Sequence, residues 1–213
     1  PCDHTAATLS AMESIFAKQK RDCATVTVSP EQQPATCPHC SQQLRSIDLE
    51  PEELTEMCGQ ITSLAKVGAN QTQAFEAFVQ WLQRRPAPAA VIDGANVGYY
   101  SLRPDQGQTL SYQKVGAVVR WFQSRGQQPL VVMHARHFHA NAPMTPQDRA
   151  LVQSWRDDKI LYSTPPKMND DWFWLYAAVW SSKEKSDAVM VSNDQMRDHH
   201  FQMLSQRKFL KWR

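Results

Sequence analysis

The sequence predicts an α/β protein built on a doubly wound parallel sheet, with a smaller helical unit ahead of it. Two observations carry this. From residue 89 onward, short apolar runs such as L-V-V-M (130–133) and A-V-M-V (188–191) alternate with amphipathic segments. The runs lack polar alternation, as strands covered on both faces do. Their regular β-then-α order calls for a parallel sheet with right-handed crossovers.

Residues 1–50 read as irregular, with one helix near 6–20, a short strand at 24–28 and a C-P-H-C knuckle at 37–40. Two amphipathic helices follow. The first, 51–66, opens on P-E-E and places Leu54, Met57, Ile61 and Leu64 near a 3.6-residue period. The second, 72–84, brings Phe75, Phe78, Val79 and Leu82 to one face. R-P-A-P (85–88) breaks the pattern, which sets a boundary between units 1–85 and 86–213. Beyond it come strand 89–93, helix 111–124, strand 129–134, helix 146–156, strand 160–163, helix 171–182, strand 188–192 and helix 195–206.

This order gives four aspartates a common address. Asp93 ends the first strand, Asp194 follows the last, and Asp170 and Asp171 open the helix after the third strand. Open α/β sheets bind ligands outside the carboxyl ends of their strands. Any single acid there could be turn chemistry or a helix cap, and Asn96 a local hydrogen bonder. Four on one edge exceed what capping requires. Carboxylates at close range repel, but together they suit Mg²⁺ or Mn²⁺, hard cations that take oxygen ligands. Asp198, one turn past Asp194, reads as a supporting acid, with Asn96 and Arg197 as further supporting residues.

Rival chemistries lack their motifs. There is no G-x-G-x-x-G after the first strand, no G-x-x-x-x-G-K-[ST] loop and no G-x-S-x-G elbow. His134, His137 and His139 with Arg136 suit phosphate contact or plain surface exposure better than zinc. The W-F-W run (172–174) reads mostly as core, with Trp172, nearest the acids, a candidate for stacking on a base. Arg136, His134 and Lys167 complete the candidate nucleic-acid contacts. Without a nucleophilic side chain, the acids point to phosphodiester hydrolysis by metal-activated water, leaving a 5′-phosphate and a 3′-hydroxyl.

The formal net charge is only +2, from 23 Lys and Arg against 21 Asp and Glu, which is weak for a free-standing nucleic-acid binder. The chain begins at Pro1 without an initiator Met and ends in a basic stretch, so it reads as a piece of a longer protein. No apolar run approaches membrane-spanning length, so no membrane partner is expected. The five cysteines are not spaced as a disulfide framework, and Cys37 with Cys40 suits a structural zinc better than a redox pair.

V-I-D-G-A-N-V-G (91–98), P-P-K-M-N-D-D-W-F-W-L-Y-A-A (165–178) and V-S-N-D-Q-M-R-D-H (191–199) resemble the signatures of protein-only RNase P. That family removes 5′ leaders from precursor tRNA, and its plant and algal single-subunit branch is nearest in wording. The likeness extends to the C-P-H-C knuckle and the F-x-x-F-V-Q-W-L helix. D-G-x-N alone is shared with other NYN and PIN-like nucleases. The resemblance implies a NYN/PIN-like metallonuclease behind a zinc-knuckle central domain. In it Asp93, Asp170, Asp171 and Asp194 would bind the catalytic metal, with Asp198 in support. Cys37 and Cys40 would supply half of a zinc site, completed by a His and a Cys from a segment past the metallonuclease domain. An N-terminal pentatricopeptide-repeat array in the same polypeptide, a monomeric state and a place in mitochondrion, plastid or nucleus are also implied. The rivals are an NYN-type endoribonuclease acting on mRNA or rRNA, and a non-catalytic RNA-binding domain.

Overall fold

The structure, a computed structural model, describes residues 4–19, 36–37, 41–43, 49–66, 68–101, 109–185 and 187–194. The chain divides into two compact units, 1–48 and 49–213. In the first, helix α1 spans His4–Lys18. Thr36 bridges Gln43 in antiparallel fashion, the Cys37 N–H donates to the Gln42 carbonyl at 2.8 Å, and the Ser41 N–H donates to the Cys37 carbonyl at 2.8 Å. The expected strand at 24–28, Cys40 and the final helix at 195–206 lie outside the described residues.

The second unit is the expected sheet. Strands β1 (Ala90–Asp93), β2 (Pro129–His134), β3 (Leu161–Thr164) and β4 (Val189–Val191) are all parallel, in the order β3-β2-β1-β4. The chain builds outward from β1 to β3 and then returns to β1's other side as β4. The direction of winding therefore reverses between β1 and β4, which is where open α/β sheets hold their ligands.

Side-chain alternation along the strands sorts the core into two faces. Ala90, Ile92, Val131 and Met133 pack with Val115, Val119 and Phe122 of helix α5 (Tyr112–Gln123) and with Val152 and Trp155 of helix α6 (Pro146–Asp157). Val91, Leu130 and Val132 pack instead with helix α7 (Asp170–Glu184) and, through it, with α2 (Pro51–Ala65) and α3 (Ala69–Gln83). Asp93 shares the parity of Val91, so alternation aims it at the α7 side.

Helix α7 lies inside this layer, and all ten residues from Trp172 to Ser181 are buried. A helix apolar on every side is one with neighbours on every side. Here the sheet covers one side. Phe75 and Phe78 of α3 meet Phe173 edge-on or tilted, with ring centroids 5.2 and 5.1 Å apart. This packing places α2 and α3 in the same unit as the sheet, whereas composition suggested a break at 85/86. The R-P-A-P segment interrupts the helix pattern but not the core: Arg85 sits over the Trp81 ring at 4.6 Å and donates to the Lys159 carbonyl.

Two short elements escaped the sequence reading. Helix α4 (Gly94–Tyr99) follows β1 directly, and a 3₁₀ turn (Ala135–Phe138) follows β2. Six and four residues are too few to display a period, and D-G reads locally as a turn. Gly94 is required here for close approach: a Cβ would lie 2.3 Å from Met133 Cγ and 2.9 Å from Val131 Cγ1. The absent side chain lets α4 start flush against β2.

Candidate active site

Asp93 stands at the floor of a cleft of about 420 Å³ at the carboxyl edge of β1 and β4. Asp170, Asp171 and Asp194 line the same cleft, so the fold draws together four acids from three distant segments. Asp93 is 5% exposed, Asp170 and Asp171 are half-buried at the start of α7, and Asp194 is exposed. Among the described residues, no three His, Cys, Asp or Glu side chains close on one point as a finished cation cage.

Hydrogen bonds fix the floor. The Asn96 backbone N–H donates to Asp93 Oδ1 at 3.0 Å, so Asp93 does cap α4. The Ser192 hydroxyl donates to Asp93 Oδ2 at 3.0 Å, and the Asp194 N–H donates to Ser192 Oγ at 3.0 Å. Asn96 is more than a local bonder: its Oδ1 accepts from the Asn193 N–H at 2.7 Å, tying α4 to the turn after β4. Sequence reasoning quoted V-S-N-D without giving Ser192 or Asn193 a task. The register Ile92 opposite Val191 was the missing fact, because it sets Ser192 beside Asp93.

At α7 the helix cap is Asn169, whose Oδ1 accepts from the Asp171 N–H at 3.0 Å. Capping is thus discharged by a neutral residue, and neither acid of the N-D-D sequence is consumed by it. Asp171 Oδ1 also accepts from Trp174 Nε1 at 3.2 Å, which anchors that carboxylate to the buried helix. Placing two acids in the first turn of α7 is favourable to the helix dipole.

The electrostatics are dominated by burial. Burial pushes the Asp93 carboxyl up from the ordinary 3.8 to about 7. The Asn96 and Ser192 hydrogen bonds pull against it, and the charges of Asp171 and Asp170 add to it. Burial also raises Asp170, helped by Asp171 and opposed by its own backbone N–H, Arg136 and His134. Negative charge in this cleft is under-compensated by the protein.

The candidate RNA contacts separate. Arg136 is exposed and lines the cleft. His134 stands behind it, its Nδ1 accepting from the Arg136 N–H at 2.9 Å, and acts on Asp170 only through space. Lys167 is exposed in the loop before α7, with φ of 67°, and does not line the cleft. Trp172, the remaining candidate, is 9% exposed and packs in the core around α7, which leaves little of its surface for a base. The aromatics that do line the cleft are Tyr99 and Tyr100, 39% and 55% exposed at the end of α4. Sequence reasoning passed over them; the signal available was two tyrosines directly after D-G-A-N-V-G, outside any apolar period. Asp198 and Arg197 lie outside the described residues.

The geometry agrees with relatedness. A family profile described as protein-only RNase P matches residues 32–213. The chain belongs to the protein-only RNase P family. Among its relatives, Arabidopsis thaliana proteinaceous RNase P 1, chloroplastic/mitochondrial, is 36% identical over 183 residues, covering 83% of this chain and 30% of that protein. Proteinaceous RNase P 2 of the same plant is 33% identical over 185 residues, covering 83% and 34%. The crystal structure of nuclear proteinaceous RNase P 2 from A. thaliana matches with a TM-score of 0.65 at 33% identity, over 83% of this chain and 36% of that one. The chain thus spans about a third of the length of the curated protein-only RNase P relatives it matches.

Proposed function

We propose that this chain carries the catalytic centre of a protein-only RNase P, a metal-dependent endoribonuclease that removes the 5′ leader of precursor tRNA. The observation that carries the reading is the convergence of four acids from three separated segments on one cleft at the β1/β4 reversal. The donor set suits a hard divalent cation, since it is anionic, made of oxygens, and includes a carboxyl held up near 7 by burial. Asp93, Asp170, Asp171 and Asp194 are the residues that would hold Mg²⁺ or Mn²⁺. When bound, the cation supplies Lewis acidity to the scissile phosphate and to the attacking water, so hydrolysis leaves a 5′-phosphate and a 3′-hydroxyl.

The protein's own groups do the positioning. Asn96 and Ser192 lock Asp93 at the floor, Asn169 and Trp174 hold the first turn of α7, and Arg136 offers a guanidinium to phosphate oxygens at the mouth. The decisive experiment is cleavage of precursor tRNA by the full-length protein with and without Mg²⁺, mapping both product ends. Asp171→Ala and Asp194→Ala are expected to abolish leader removal while leaving tRNA binding nearly intact. Cleavage surviving either substitution, or occurring away from the leader junction, would refute the reading.

A structural zinc held in part by Cys37 and Cys40 belongs to the same proposal. Its support is the Thr36–Gln43 bridge and the Cys37 N–H bond to the Gln42 carbonyl, which hold the two ends of the knuckle segment together. Zinc chelation should then lower thermal stability, whereas Mg²⁺ withdrawal should mainly stop turnover. A melting curve indifferent to chelation would make these ordinary thiols.

A further inference from the structure

A second cavity, of about 290 Å³, adjoins the acid cleft and shares Tyr99 and Arg136 with it. Its lining differs in kind. Leu110, Tyr112 and Pro143 supply apolar walls, His137 and His139 supply imidazoles, and among the described residues no carboxylate lines it. The walls are well supported. Tyr112 is 3% exposed and its hydroxyl donates to the His137 carbonyl. Tyr99 meets the His137 ring edge-on, with centroids 5.9 Å apart.

The imidazoles have assigned roles. His137 Nε2 accepts from Arg136 Nε at 3.2 Å, which leaves its proton on Nδ1. Burial, then the Arg136 charge, brings His137 down to about 4, so it is neutral at working pH. His139 Nδ1 accepts from the Asn141 N–H at 3.1 Å, which leaves its own proton on Nε2. The cavity therefore combines flat apolar walls with imidazole N–H donors. Its volume suits one ring system rather than an extended ligand.

We propose that this cavity seats the nucleobase on the 5′ side of the scissile phosphate, with Tyr99 as the wall between base and phosphate and Arg136 bridging the two chambers. The proposal rests on the reading of the acid cleft as the cleavage site. Continuity decides the occupant: a base in this chamber is separated by a single side chain from a phosphate in the next. The leader-side base is the one free to enter, because the base on the other side is paired in the acceptor stem. Aromatic and apolar walls take any base face, and the imidazole donors favour carbonyl-bearing edges.

The test is single-turnover cleavage by the full-length protein of two precursor tRNAs, one intact and one abasic at the last leader position. Wild type should cleave the abasic substrate roughly tenfold more slowly, the size expected for losing one base–aromatic stack. Tyr99→Ala should slow the intact substrate and erase the difference, while Tyr99→Phe should restore it. Equal wild-type rates on the two substrates, or discrimination that survives Tyr99→Ala, would overturn the base site and leave the cleavage reading standing. Absence of cleavage of the intact substrate would refute the cleavage reading instead. The base site is then read from 2-aminopurine placed at the same position: quenching on binding that Tyr99→Ala abolishes supports it, and unquenched binding overturns it.

Discussion

Replacing Asp93 by Asn should stabilise the protein at pH 8 in the absence of divalent cations, while abolishing turnover. Asp93 is 5% exposed, and burial with two acidic neighbours raises its carboxyl from 3.8 to about 7. A folded-state value above the unfolded one means that the native protein holds the proton more tightly. The residue's contribution to stability is therefore fully present below about pH 4 and is lost as pH rises through about 7. A shift of about 3 units corresponds to about 4 kcal/mol at pH 8, an upper bound for the gain from removing the charge. Asn keeps an acceptor for the Asn96 N–H but must reorganise the Ser192 hydroxyl, which returns about 1 kcal/mol. The net of about 3 kcal/mol predicts a rise in Tm of about 6–12 °C. The assay is thermal unfolding of wild type and Asp93→Asn in chelator at pH 5 and pH 8, repeated in Mg²⁺. The gap should be small at pH 5, open at pH 8, and narrow or reverse in Mg²⁺, which the wild type binds better. An Asp93→Asn protein no more stable than wild type at pH 8 in chelator would refute the idea that the cleft is under-compensated.

Other expectations concern the frame around the cleft. Asn169→Ala removes the cap of α7 and should cost about 1 kcal/mol by chemical denaturation, with a fall in cleavage because Asp170 and Asp171 sit in the freed turn. Phe75→Ala, in a fully buried site against Phe173 and Tyr176, should cost about 3–5 kcal/mol and shift the single unfolding transition of 49–213. Separate melting of α2–α3 would show that they are a domain of their own. Trp172→Ala should lower Tm while sparing RNA affinity measured well below it, whereas Tyr100→Ala should weaken RNA binding at unchanged Tm. Gly94→Ala should destabilise and slow cleavage together, since the added methyl pushes α4 off Met133 and drags Asp93 with it.

The strands were legible because a run such as L-V-V-M is buried on both faces whatever its neighbours are. β2 was placed to the residue, and the other three strands within one residue at either end. The shared edge of the four acids followed from order alone: in a parallel βα repeat every strand's carboxyl end points the same way. Other features were beyond reach of local pattern. The apolar faces of α2 and α3 announce that they pack, but not on what, and only the structure joins them to α7. N-D-D offers three residues able to cap one helix, and backbone geometry alone decides that Asn169 does so.

The sequence by itself determined the parallel α/β layout, the edge on which the acids gather and the family to which the chain belongs, since these rest on periodicity, element order and motif wording. Tertiary structure alone decided the burial that raises Asp93, the Ser192 bond that holds it, the loss of Trp172 to the core and the exposure of Tyr99 and Tyr100 at the cleft. The physical reason is common to all four. A side chain's exposure and charge balance depend on residues distant in sequence, and strand register and helix packing choose those neighbours.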